Sequence, residues 1–287
     1  MTAYLATILD GMAMGVVLFV IAAGLALILG AADLLNLAHG SFYLLGAVIG
    51  WRAGDGTWRG LATAAAIAVG VGAGAGLALQ LVLRPLIRTG HLRQALATIG
   101  IGLLIADTTS VATGGQTVLP AVPAALTGSV TVAGVTYPLY RLVFVAFALP
   151  AAIGLWWLVE KSRPGLLVRA AATDAPMVQT LGVPPQLLLA GALSVGSAVA
   201  VTAGAFAAPI IAGAPGVDQH LLVSALTVIV LGGITSLRAI FAASLVLGQV
   251  DTLGVAIWPQ ATAFVVLGLL ITAVTWRTRH ASSPVAP

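Results

Sequence analysis

The residues of this chain predict an all-α, polytopic transmembrane helical bundle of about eight or nine spans, forming a single domain over 1–287. Three observations carry that expectation. Of 287 residues, 60% are hydrophobic and only 7% are charged, against roughly 25% charged in a soluble domain. Glycine occurs 34 times, nearly twice the usual share of about 7%. The basic residues fall at the ends of apolar runs and do not line one face. An ordinary cytosolic enzyme and a disordered chain are excluded, because so few charges cannot solvate the surface of a globule.

The apolar runs place the spans at about 5–30, 37–51, 60–83, 94–112, 139–159, 187–212 and 220–236. Each long run meets the roughly 20 apolar residues needed to cross a bilayer. The second is shorter and is read as a full span, with a re-entrant segment as the alternative. The stretch 239–276 suffices for two crossings broken near Trp258-Pro259, with Pro259 opening the last helix, since proline fits a first turn. Gly70-Val-Gly-Ala-Gly-Ala-Gly76 lies within the third span. There it reads as a close-packing face, because lipid gives helices no hydrophobic reason to associate and small residues let backbones approach.

Lys and Arg set the sidedness. Arg84, Arg88, Arg93, Lys161, Arg163, Arg169, Arg238, Arg277 and Arg279 fall on one side, and Arg52, Arg59 and Arg141 on the other. Positive charge marks the cytoplasm, which puts the C-terminus inside and segments 113–138 and 213–219 outside. The first 51 residues hold no Lys or Arg and so lack the basic start of a signal peptide. The net charge of +4 reflects this orientation and not a phosphate-binding stripe, so no nucleic-acid partner is expected.

Catalytic chemistry is thin. The chain has no cysteine, no P-loop, no His-Glu-x-x-His and no Gly-x-Ser-x-Gly. His39 and Ser41 are two apart and do not share a helix face. No enzyme activity, cofactor or metal is expected. Carboxylates within spans are the mark of ion-coupled carriers. Here only Asp107 and Asp251 qualify, both read as interfacial, with Asp10 at the start of the first helix.

Two polar stretches remain. Asp33-Leu-Leu-Asn-Leu-Ala-His-Gly-Ser41 lies between the first two spans. Asp33 or Asn36 could cap the following helix, and Asn36 and His39 share a face if helical. A capped turn and part of a substrate path both fit. Segment 160–186 is the longest cytoplasmic stretch. Its residues 165–181 suit one or two short amphipathic helices broken near Pro176, with Leu166, Val168, Met177, Val178 and Leu181 apolar. A tether and a docking surface for a cytoplasmic partner both fit it.

At these residues the sequence resembles the branched-chain amino-acid ABC transporter permeases of the LivH type. The matching runs are Gly11-Met-Ala-Met-Gly15 with Ala23 through Gly30, and Leu35-Asn-Leu-Ala-His-Gly-Ser-Phe-Tyr-Leu-Leu-Gly-Ala47. Arg84-Pro-Leu-Ile-Arg88, Ala95 through Gly102, Gly165 with Arg169 through Asp174 and Thr180 through Val183, and Val228 through Ser236 follow in the family's order. The chain departs from that pattern at Ser41, Thr235 and Gln249, and ends Trp276-Arg-Thr-Arg-His. The resemblance implies a permease subunit of a bacterial inner-membrane ABC importer, without cofactor of its own, ATP being hydrolysed on partner subunits. The partners would be a second, LivM-like permease, two ATP-binding subunits and an extracytoplasmic solute-binding protein. Asn36, His39, Gly40 and Ser41 would lie by the substrate path. Gly165, Arg169, Ala170, Asp174, Met177, Leu181 and Gly182 would form the ATPase-coupling segment. The solute would be a branched-chain amino acid or a related amide or urea. An ion-coupled carrier or channel and a sugar-type ABC permease are the alternatives.

Overall fold

The computed structural model describes residues 2–32, 34–86, 90–132, 134–180, 182–234 and 236–281; Asp33, Arg88, Leu181 and Thr235 lie outside the described residues. The described residues form eleven α-helices: α1 (Thr2–Ala32), α2 (His39–Ala53), α3 (Trp58–Leu83), α4 (His91–Thr113), α5 (Leu139–Glu160), α6 (Arg163–Thr173), α7 (Ala175–Thr180), α8 (Pro185–Ala207), α9 (Val217–Gly232), α10 (Leu237–Ile257) and α11 (Thr262–Ala281). Six of them, α1, α3, α4, α5, α8 and α10, are long and apolar enough to cross a membrane, and two shorter apolar helices accompany them. The protein is an all-α multi-pass bundle, and the expected count of eight or nine spans is approximate.

Several boundaries differ from the sequence reading, each for a local reason. The span expected to run to 212 stops at Ala207, and 208–211 turn back. Trp258 breaks the α10–α11 stretch as expected, but Pro259 opens a single 3-10 turn and α11 starts at Thr262. The amphipathic pair breaks at Asp174 rather than Pro176, which falls in the first turn of α7, where proline is tolerated. Segment 113–138 carries an unforeseen hairpin, β1 (Ser129–Val132) antiparallel to β2 (Val135–Pro138).

The largest difference concerns α2. Its 15 residues rise only about 22 Å, short of a hydrocarbon core of about 30 Å. It begins beside Ile21, in the middle of α1, to which His39 is bonded. Residues 34–36, between the two helices, are non-helical. The span is therefore interrupted by non-helical backbone, in which Leu34 and Asn36 are buried and Leu35 is 37% exposed.

α1 and α8 form the centre, with α2, α3, α9 and α10 packed around them. Glycine sets the α2–α8 distance. A Cβ at Gly46 would overlap the Val201 carbonyl oxygen, and one at Gly204 would overlap that of Tyr43. Half of the glycine-rich run behaves as expected: Gly72 and Gly76 face the α8 backbone, whereas Gly70 and Gly74 have nothing near them.

The two ends of the bundle differ. At one, Arg238 and Lys161 both lie over the Trp156 ring, at 5.2 and 5.8 Å, and α6 and α7 fold back onto α1 and α8. At the other, Val118 and Gly213 exchange backbone hydrogen bonds of 2.9 and 3.1 Å, Asp55 bridges Ala121, and Arg52 donates to the Ala112 carbonyl at 2.9 Å. There Arg141 pairs with Asp10, and Tyr137 donates to the same carboxylate at 2.9 Å. Burial, and next the Asp10 carboxylate, push the Tyr137 phenol up to about 12, so it stays a donor at any physiological pH. Asp10, at the start of the first helix by sequence, is thus paired within its own chain.

Gly46→Ala should destabilise the protein by about 1–3 kcal/mol, because two backbones must separate. Gly70→Ala, facing open space, should change stability by less than about 0.5 kcal/mol. Thermal melting in detergent distinguishes the pair.

Candidate functional site

The interrupted span positions the first polar cluster. Backbone groups left without helical partners must be satisfied by the protein, since lipid offers none. The Asn36 carboxamide oxygen accepts from the Ala38 N–H at 3.2 Å, and the His39 N–H reaches the Asn36 carbonyl at 3.3 Å. From α4, the Thr98 hydroxyl accepts from the Leu37 N–H at 3.2 Å and lies 3.4 Å from the Leu35 carbonyl. Thr98 thus does for this irregular backbone what a helical turn does elsewhere. Hydropathy alone does not show that role, because Thr98 reads as one more member of an apolar run.

His39 is completely buried. Its Nε2 lies 3.0 Å from the Ile21 carbonyl, which can only accept, so Nε2 carries the hydrogen. Gly24 leaves the room: a Cβ there would come within 3.3 Å of the ring. Asn36 is also fully buried, and Asn36 Nδ2 and His39 Nδ1 have no hydrogen-bond partner among the described residues. His39 ties α2 to α1, Asn36 holds the turn before α2, and neither is in the wall of the cleft described below.

Gly40 and Ser41 face the other way, toward α9 and α4. A Cβ at Gly40 would overlap the Asp218 carbonyl oxygen, and one at Gly102 of α4 would sit 3.3 Å from the Ser41 hydroxyl. Ser41 donates to Asp218 Oδ2 at 3.2 Å across 177 residues of sequence. Asp218, which the sequence reading left in an outer loop, belongs to the first turn of α9, where a carboxylate suits the positive end of the helix dipole. Beyond this contact lies a cleft of about 190 Å³ between α2, α4 and the 213–219 segment. Its wall includes Asp107, whose carboxylate is exposed rather than buried. Asp251, the other carboxylate noted by sequence, lies 3.7 Å from the His220 ring on α9.

The second cluster is built on the end of α5. The Ser162 side chain caps α6 by accepting from the Gly165 N–H at 3.1 Å. Gly165 is buried so closely that a Cβ would overlap the Val159 carbonyl. Arg169 donates to the carbonyls of Val159 and Glu160, satisfying the unpaired C-terminal acceptors of α5. Asp174 Oδ1 accepts from the Met177 N–H at 3.0 Å and caps α7. Gly182, at φ +79°, ends it with a bond to the Gln179 carbonyl. Val168 and Val178 are buried against Leu27, Ala31, Leu188 and Ala192, while Leu166 and Met177 are each 59% exposed and Ala170 is exposed. Leu181 lies outside the described residues. No cluster of three potential metal ligands occurs among the described residues.

The fold is thus a multi-pass helical bundle with a polar cleft at one end and a braced pair of short helices at the other. The sequence comparisons give the family. Residues 7–275 match the family model described as branched-chain amino acid transport system / permease component, and the chain belongs to that family. It is 25% identical over 295 residues to the high-affinity branched-chain amino acid transport system permease protein BraD of Pseudomonas aeruginosa, covering 96% of this chain and 94% of BraD. It is 25% identical over 267 residues to the permease protein LivH of Salmonella typhimurium, covering 87% and 85%. No solved structure matches the chain.

His39→Ala removes a hydrogen bond and leaves a cavity in the core, and should cost about 3 kcal/mol of stability. The fraction that folds should transport at the wild-type rate, since the ring is not in the wall of the polar cleft. Melting midpoint and uptake normalised to folded protein test the two halves.

Proposed function

We propose that this chain is one of two transmembrane subunits of an ATP-driven ABC importer for branched-chain amino acids or a related small polar solute. Its partners are a second, LivM-like permease, two ATP-binding subunits and an extracytoplasmic solute-binding protein. The family match over 7–275 carries the reading. The protein sits in the bacterial inner membrane with the arginine-rich end and the C-terminus in the cytoplasm, following the excess of Lys and Arg at that end. ATP is hydrolysed on the partners, and this subunit needs no cofactor.

The coupling element is the α6–α7 pair over 165–182. Gly165, Arg169, Asp174 and Gly182 give it shape, since each serves a cap or a close approach within the chain. Arg169 is best read as the brace between α5 and α6, with Ala170 and the exposed Met177 on the surface that meets the ATPase. A short helix with an apolar face fits a groove on a partner, and rigid bracing lets a push at the surface move the bundle. The substrate path runs along the start of α2. Asn36 and His39 hold the interrupted span in place, and Gly40 and Ser41 border the passage.

Liposomes carrying the complete complex should take up labelled leucine only with internal ATP or ATP supplied to the ATPase side. Uptake driven by a proton or sodium gradient without ATP would refute the reading. Met177→Glu should leave folding unchanged and lower binding-protein-stimulated ATP hydrolysis by roughly tenfold or more, as expected for an apolar anchor at an interface. Val178→Glu, at a buried position, should fail to fold.

A further inference from the structure

We infer that the cleft between α2, α4 and the start of α9 is an ammonium-binding station for the transported solute, with Asp218 and Asp107 as its two anionic walls. This rests on the permease reading and extends it from a path to a named chemistry.

The cleft, about 190 Å³, has room for a small solute's headgroup. Its wall carries the carboxylates of Asp107 and Asp218, the side chains of Ser110, Thr113, Gln116 and Gln219, and no Lys, Arg or His. Asp218 is only 7% exposed. Its Oδ2 takes the Ser41 hydroxyl, and among the described residues no group donates to Oδ1. A largely buried carboxylate with an acceptor oxygen free at the edge of a cavity is a ready partner for a charged donor that enters. Asp107 on the facing helix has neither a hydrogen bond nor an ion pair among the described residues. Among the described residues, four other carboxylates have partners within the chain: Asp10 has Arg141 and Tyr137, Asp251 has His220, Asp55 has Thr57, and Asp174 has the Met177 N–H.

An ammonium group has three donors and a full charge. Between Asp218 Oδ1 and Asp107 it would replace hydration with charge-assisted bonds. A solute of the same shape with a carboxylate but no amine would meet two negative walls. Ser41 acts as a positioning residue: its bond holds Oδ2 of a side chain that lines the cleft. Gly40 permits this geometry, because any Cβ there would push Asp218 away.

The test uses the complete importer without its binding protein, so that selectivity reports the membrane part. Melting is followed with leucine, with 4-methylpentanoate (leucine without its amine) and with sodium chloride as probes. Leucine should raise the midpoint and 4-methylpentanoate should not. Asp107→Asn and Asp218→Asn should each abolish the leucine shift, and Asp218→Glu should restore part of it. With the binding protein added back, both Asn variants should lower leucine uptake by roughly tenfold or more, the scale of a lost charge-assisted bond, while stimulated ATP hydrolysis persists. Asp107 is exposed, so its variant folds even if Asp218→Asn does not. Equal shifts from leucine and 4-methylpentanoate, a sodium shift lost in the same variants, or wild-type uptake by Asp107→Asn would each overturn the proposal. Failure of the importer reading would look different: the wild-type complex itself would show no ATP-dependent uptake.

Discussion

The close approach of the α2 backbone to α8 and α9 is the constraint on which the rest of this structure depends. Three positions without side chains, Gly40, Gly46 and Gly204, allow contacts that any Cβ would block. In a lipid environment packing replaces the hydrophobic drive as the main source of helix association, so these contacts hold the bundle together. They also set where α2 begins. With α2 drawn against its neighbours, its first residue lies beside the middle of α1, and the non-helical backbone before it packs on the bundle with Leu34 and Asn36 buried.

That non-helical passage creates a demand for hydrogen bonds, and the polar residues around it answer the demand. Asn36, Thr98 and His39 hold backbone groups, and Ser41 reaches across to Asp218. A single arrangement therefore does two jobs. The inward-facing members fix the interrupted span, and the one outward-facing hydroxyl shapes the wall of the polar cleft. At the opposite end the same economy recurs: Arg169 closes the end of α5 and ties α6 to it, while Leu166 and Met177 stay exposed.

Much of this was legible in the residues. The long apolar runs located α1, α3, α4, α5, α8 and α10, and the Trp258-Pro259 break was seen because proline and the loss of periodicity act locally. The family resemblance marked Asn36 through Ser41 and Gly165 through Gly182 as special. It did not tell how they act. His39 and Ser41 are two residues apart, yet one bonds α1 and the other α9, and Arg169 looked available to a partner although its donors are used within the chain. Asp218 escaped notice because a carboxylate between Pro215 and an apolar run reads as a loop residue; only its pairing with Ser41 gives it a place.

By itself the sequence determined that this protein lives in a membrane, that it is helical, how its basic residues are biased, and which family it belongs to. These follow from composition and from patterns some 20 residues long, which act through transfer between water and lipid. The tertiary structure decided which glycines meet a backbone and which face open space, where the second span is interrupted, and which carboxylates are neutralised and which are left to the cleft. Those outcomes depend on pairs of groups far apart in the chain, such as Ser41 with Asp218 or Arg141 with Asp10. Their energies come from packing and hydrogen bonding at distances of a few ångströms, and no local pattern records them.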